Sequence, residues 1–312
     1  MNYCETKENS LKNSIIPQNS QADFAEFWQT QIAFLRTIPL SVSRTKLDLP
    51  YKTFTTYEIT YNTHDKTMIH AWFSVPAGQE GKKLPCVVYF HGGGGKKEIY
   101  PEIPATGVCC FAMDVRSQAG TSIDRADYTL TDNMGNLMAR DITDKNHFYM
   151  RNIYLDAVRA MDVVAALPEV DPEKIVTFGA SQGGALSIVA SAFSGLSKKC
   201  YTCVPSYCCL HHRIERGTGV FGPAAKLLKV HPHLTDAAFE TLTYFDINNL
   251  VTFLKVDTDV CLNLADEICI PQFVYSPYSH ITAPKQIHYH PFQPHCIPQA
   301  YYLFFQTEIA AL

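Results

Sequence analysis

Gly179-Ala180-Ser181-Gln182-Gly183 places one serine between small residues. A serine hydroxyl attacks acyl carbon only when a base removes its proton and donors hold the oxyanion that forms. Lys174-Ile-Val-Thr-Phe178, just ahead, reads as a short buried strand, and Gly184-Ala-Leu-Ser-Ile-Val-Ala-Ser-Ala192, just behind, as a helix. A serine on so tight a strand-to-helix turn is a nucleophile elbow, with its hydroxyl lifted above the sheet edge and the next amides at a helix N-terminus. The same pentapeptide can also be a glycine-rich turn with a capping serine. The strand and helix on either side favour the elbow.

An elbow of this kind is followed along the chain by an acid and then a histidine, each on a loop at the C-terminal edge of the sheet. Val260-Cys-Leu-Asn-Leu264 reads as a strand, and Asp266 follows at its required end. Asp257 and Asp259 are expected ahead of that strand, at the wrong edge, and Glu267 is expected to point away. Three histidines compete for the base. His288 and His290 fall in or at the end of the strand Lys285–Tyr289, on one face, whereas His295 lies on the loop beyond it. The spacing therefore selects Asp266 and His295, with Asp266 holding the imidazole in the tautomer that accepts the Ser181 proton. One oxyanion donor is the Gln182 amide. The second is expected from the loop after Cys86–Phe90, which reads His91-Gly-Gly-Gly-Gly95 and can bring bare backbone close to substrate.

Cys200-Tyr-Thr-Cys203 with Cys208, Cys209, His211 and His212 resembles a metal or redox cluster. Strand alternation sends Cys200 and Cys203 to opposite faces, so convergence on one ion is difficult and buried thiols are the better reading. The His288/His290 pair lacks a third ligand of convincing spacing. No metal or cofactor is expected.

These residues need a scaffold. The strands alternate with helices, which specifies a mostly parallel sheet with helices on both faces. A hairpin is expected over 53–61 and 67–75, an amphipathic helix over 23–36, a helix over 153–167 and a closing helix over 301–310. The stretch 206–250 shows no clear strand and reads as a lid or an oligomer contact. Residues 1–20 are polar and expected to be loose, leaving 21–312 as a single domain. Of the 312 residues 46% are hydrophobic, and the net charge of −4 comes from interspersed acids and bases, which excludes an electrostatic footprint for nucleic acid or an anionic membrane. No signal peptide or membrane span is expected. Eleven cysteines, an odd number set largely in apolar runs, suit free thiols in a reducing cytoplasm.

From about residue 22 onward the chain resembles the acetyl xylan esterase/cephalosporin C deacetylase family, carbohydrate esterase family seven. The resemblance runs through Asp23–Trp28, Phe90-His-Gly92, Arg116-Ser-Gln118, Tyr154-Leu-Asp-Ala-Val-Arg-Ala160, Gly179–Gly184 and Ala238–Asp246. It implies an α/β-hydrolase fold and a serine esterase that deacetylates acetylated xylo-oligosaccharides or related O-acetyl compounds such as cephalosporin C. It also implies an acyl-enzyme, a cytoplasmic hexamer, a triad of Ser181, Asp266 and His295, and oxyanion amides at Gln182 and Gly93. Arg116 and Gln118 fall on a supporting motif whose central glycine is Ser117 here, so a left-handed backbone is expected at that serine. Pro294-His295-Cys296 replaces the family's Gly-His-Glu. The alternatives are a hydrolase of the same fold acting on another bond, peptidase or dienelactone-hydrolase-like, and a catalytically weak relative kept as a binding protein.

Overall fold

The computed structural model describes residues 3–131 and 135–312. Among the described residues nine strands form one sheet in the order β1-β2-β3-β5-β4-β6-β7-β8-β9. The first three, β1 (Ser43–Lys46), β2 (Phe54–Asn62) and β3 (Met68–Pro76), make an antiparallel edge. Their burial alternates along β2, as one packed face and one wetter face require. β4 (Leu84–Phe90), β5 (Cys109–Met113), β6 (Val170–Ala180), β7 (Ser197–Cys203), β8 (Asp257–Asn263) and β9 (Lys285–His290) pair in parallel. β5 is buried at every position, as befits a strand covered on both faces.

The helices are α1 (Tyr3–Lys12), α2 (Phe24–Thr37), α3 (Tyr149–Ala166), α4 (Gln182–Ser194), α5 (Leu210–Arg216), α6 (Gly222–Val230), α7 (Thr235–Thr243), α8 (Ile247–Leu250), α9 (Pro271–His280) and α10 (Gln299–Ala310). α4 is buried nearly all round, which its Ala, Leu, Ile and Val content permits. The mixed, mostly parallel sheet with flanking helices agrees with the expected class.

Two expectations need correction. The loose segment over 1–20 is instead helical at Tyr3–Lys12 and docked beyond it: the Ile16 amide donates to Ser276 Oγ (3.1 Å) and Gln18 Nε2 to the Asn248 carbonyl (2.6 Å). Leu11 and Ile16, two apolar residues in a polar stretch, supply the buried contacts. Asp257 and Asp259 lie inside β8, not ahead of it, because that strand begins three residues earlier than its apolar run suggests. The stretch 206–250, expected to carry no clear strand, is largely helical (α5 to α8), and its Ser206, Tyr207 and Val220 line the cavity described next.

Candidate active site

β6 ends at Ala180 and α4 begins at Gln182, so the entire reversal falls on Ser181, at φ 57° and ψ −120°. A serine held there is strained, and the surrounding backbone fixes it: its amide donates to the Cys203 carbonyl (3.0 Å), and its carbonyl accepts from the Ser206 amide (2.9 Å). Gly183 is required by space. A Cβ at that position would lie 1.9 Å from the Phe90 carbonyl oxygen, inside the neighbouring strand end.

Ser181, Gln182, Gly93, Gly94 and Gln118 line one cavity of about 220 Å³, closed elsewhere by residues such as Met138, Tyr207 and Val220. Gly93 faces Gln182 closely enough that a Cβ added to it would sit 3.9 Å from Gln182 Cβ and Oε1. Two side-chain amides tie these segments together. Gln118 Nε2 donates to Gln182 Oε1 (2.7 Å), Gln182 Nε2 donates back to Gln118 Oε1 (3.1 Å), and that same oxygen accepts the Gly94 amide (2.8 Å). Tyr207 adds its hydroxyl to Gln182 Oε1 (2.7 Å). His91 is part of this bracing. Its Nε2 accepts the Val115 amide (3.0 Å), so Nδ1 carries the proton and donates to the Gly92 carbonyl (2.8 Å). Burial pushes its pKa down, which keeps the ring neutral in that arrangement.

Arg116 stays out of the cavity. It is fully buried, with Nε and Nη2 each donating to Asp156 at 2.7 Å and Nη1 reaching Asp124 at 3.1 Å. This ties the end of β5 to α3 and sets where Gln118 begins. Ser117 has φ 57°, the left-handed value expected of it.

Asp266 and His295 come together on the loops after β8 and β9. His295 Nδ1 donates to Asp266 Oδ2 at 2.7 Å, while Asp266 Oδ1 accepts the amides of Ile268 and Cys269, both at 2.8 Å. That geometry leaves Nε2 as the nitrogen for proton transfer. The hydrogen bond to Asp266 and a second that the protonated ring donates to Cys269, opposed by burial, push the His295 pKa up to about 10. Among the described residues no hydrogen bond joins Ser181 to His295; contacts of this kind commonly tighten only when substrate binds. His288 and Asp259, the competing pair, are joined to each other at 2.7 Å, and Lys199 Nζ lies 2.8 Å from Asp259. His290 is half-buried on the same strand.

Residues 1–308 match the sequence profile of the family described as acetyl xylan esterase (AXE1). The chain belongs to the acetyl xylan esterase family. That is a family of carboxylic ester hydrolases. Among its relatives is an acetyl esterase, Axe7A, of Xylanibacter ruminicola, 26% identical over 274 residues, a stretch that takes in 85% of this chain and 61% of the relative. The acetyl xylan esterase from Paenibacillus sp. R4 superposes with a TM-score of 0.91 at 27% identity, over 100% of this chain and 99% of that one. Acetyl Xylan Esterase 1 from Thermoanaerobacterium sp. JW/SL YS485 shares the fold, with a TM-score of 0.90 at 23% identity over 97% and 98% of the two chains.

Two residues beside the pair in this acetyl xylan esterase family member escaped sequence reasoning. Asn263 Nδ2 donates to the carbonyls of Pro294 (2.7 Å) and Cys296 (2.9 Å), clamping the loop on both sides of His295. An asparagine at the end of a strand signals only a loop, so its two partners could not be read from spacing. Cys269 follows Asp266 by three residues, and donor atoms of Asp266, Cys269 and His295 lie within 4.8 Å of one another. That is a candidate ligand set where none was expected, and the Asp266–His295 hydrogen bond already occupies two of its three donor groups. Cys200 and Cys203, the earlier suspects, are buried free thiols.

Proposed function

We propose that the chain is a serine esterase that removes acetyl groups from acetylated xylo-oligosaccharides or related O-acetyl compounds, cephalosporin C among them. The observation that carries this reading is Ser181 on its strained turn, lining a small cavity with Gln182 on one side and Gly93 opposite. Ser181 Oγ attacks the acetyl carbon and its proton passes to His295 Nε2. Asp266 steadies the imidazolium through Nδ1. The Gln182 and Gly93 amides take the oxyanion, each typically worth about 2.7–4 kcal/mol in the transition state. The intermediate collapses as His295 protonates the departing sugar oxygen, and water then releases acetate from the acyl-enzyme by the same steps in reverse order of roles.

The cavity of about 220 Å³ suits a short acyl group, so acetate esters should outrun octanoate esters. Purified protein should hydrolyse p-nitrophenyl acetate, and Ser181→Ala should lose nearly all of that rate; equal rates would defeat the assignment. The missing Ser181–His295 hydrogen bond favours one alternative, a catalytically weak relative that binds without cleaving. A fluorophosphonate probe labels an activated serine and leaves an inert one untouched. The same proposal places the protein in the cytoplasm, supported by eleven unpaired cysteines, nine of them buried. Among the described residues no helix is long and apolar enough to cross a membrane. A hexamer, implied by the family resemblance, is checked by light scattering.

A further inference from the structure

A second cavity, of about 250 Å³, is lined by Arg213, Arg216, Thr218, Glu267 and Phe273 among others. Arg213 is only 6% exposed, yet its Nη1 has no hydrogen-bond partner among the described residues. Its guanidinium lies over the Phe221 ring, 5.5 Å from the centroid, a contact that leaves the donors in the ring plane unused. Asp246, the acid whose ionisation Arg213 favours, is already taken by the amides of Cys209 (2.7 Å), Leu210 (2.7 Å) and Asn248 (2.8 Å). A buried guanidinium nitrogen without a hydrogen-bond partner is costly, and arginine's planar fork is shaped for a carboxylate. Two guanidinium groups against the single Glu267 carboxylate leave this cavity net positive.

The two cavities are lined by neighbouring residues of the chain. Thr218 and Gly219 line the second, Val220 the first, and Glu267 and Ile268 of the second follow directly on Asp266. We propose that the Arg213 cavity is a carboxylate subsite of the esterase, filled by an acid group on the alcohol part of its ester. It rests on the esterase reading above, because a two-carbon acyl group held at Ser181 has no acid of its own. The substrate class is then an O-acetylated sugar that also bears a carboxylate, a uronic acid in chemical terms. Its leaving part extends past Val220 until the carboxylate meets the guanidinium groups of Arg213 and Arg216 that line the second cavity.

The test has two arms. In the first, kcat/KM is measured for a matched pair of acetylated oligosaccharides, one neutral and one carrying a uronic acid, on wild type, Arg213→Met and Arg216→Gln. Wild type should prefer the acidic ester at least tenfold at low salt, and both variants should reduce that ratio. Arg216→Gln, at a more exposed position, covers the case in which Arg213→Met fails to fold. In the second arm, glucuronate, glucose and inorganic phosphate are titrated into Ser181→Ala protein by calorimetry. That arm needs no turnover, so it separates failure of the subsite from failure of the esterase reading. Glucuronate binding that is lost in the Arg213 or Arg216 variant supports the proposal. A ratio of one in wild type overturns it, as does phosphate binding as tightly as glucuronate. A changed oligomeric state with an unchanged ratio also overturns it, by making Arg213 a subunit contact.

Discussion

Replacing Asp266 by asparagine separates two jobs that the carboxylate does with different oxygens. Oδ1 accepts the Ile268 and Cys269 amides, and an asparagine oxygen can keep both. Oδ2 accepts His295 Nδ1–H, and an amide NH₂ placed there forces Nδ1 to accept instead. The proton then moves to Nε2, and the imidazole can no longer take one from Ser181. A tautomer error of this kind costs about 10⁴ in kcat, or about 5.4 kcal/mol of transition-state stabilisation. Asp266→Ala removes the acceptor as well and strands the buried Cys269 amide at about 1–3 kcal/mol, with a smaller cost at the part-buried Ile268 amide. Both variants should therefore be nearly inactive on p-nitrophenyl acetate, while only the alanine variant should show a clearly lower urea midpoint. An asparagine variant retaining a tenth of wild-type kcat would refute the reasoning. So would equal destabilisation by the two substitutions.

Three further outcomes follow from the geometry. Because Asp266 holds the His295 pKa well above its usual 6.5, kcat/KM should rise with pH along a limb whose apparent pKa exceeds 6.5. Stability runs the opposite way: the pair's contribution is complete below pH 6.5 and is lost as pH rises through the folded value near 10, so urea midpoints should fall over that window in wild type and less in Asp266→Asn. Ser117→Gly removes a left-handed serine, a gain of about 1–2 kcal/mol offset by about 0.5–1 kcal/mol of extra freedom in the unfolded chain; calorimetry should show a small rise in Tm with esterase activity kept. Gln118→Ala leaves the Gly94 amide and the Gln182 side chain without their partner, so kcat should fall about 5–100-fold with KM within about twofold, and Gln118→Glu, which keeps the Gly94 acceptor, should recover part of the loss.

What was legible in the sequence is what depends on local spacing. The strand, serine and helix around Ser181 are contiguous, and their burial follows from residue type. Asp266 and His295 could be chosen because each follows a strand at the edge where loops gather. Asp259 and His288 form a second acid–histidine pair, set apart by lying within its strands and by the Lys199 contact on Asp259. Contacts between distant segments left no such trace. Asn263 looks like any loop asparagine until Pro294 and Cys296 fold over it. The N-terminal helix reads as polar because Leu11 is its one buried side chain, too few to show a period.

The paired amides of Gln118 and Gln182 have a consequence for how the protein matures. They join residues 64 positions apart, and Gly94 joins Gln118 across another 24. The elbow can form as soon as one strand and one helix meet, whereas the oxyanion loop is set only after β4, β5 and β6 lie side by side. Non-local contacts of this sort are assembled late. A refolding chain should regain its helix signal before it regains turnover, and a nascent chain released before Asp266 and His295 emerge carries an exposed serine with nothing to activate it.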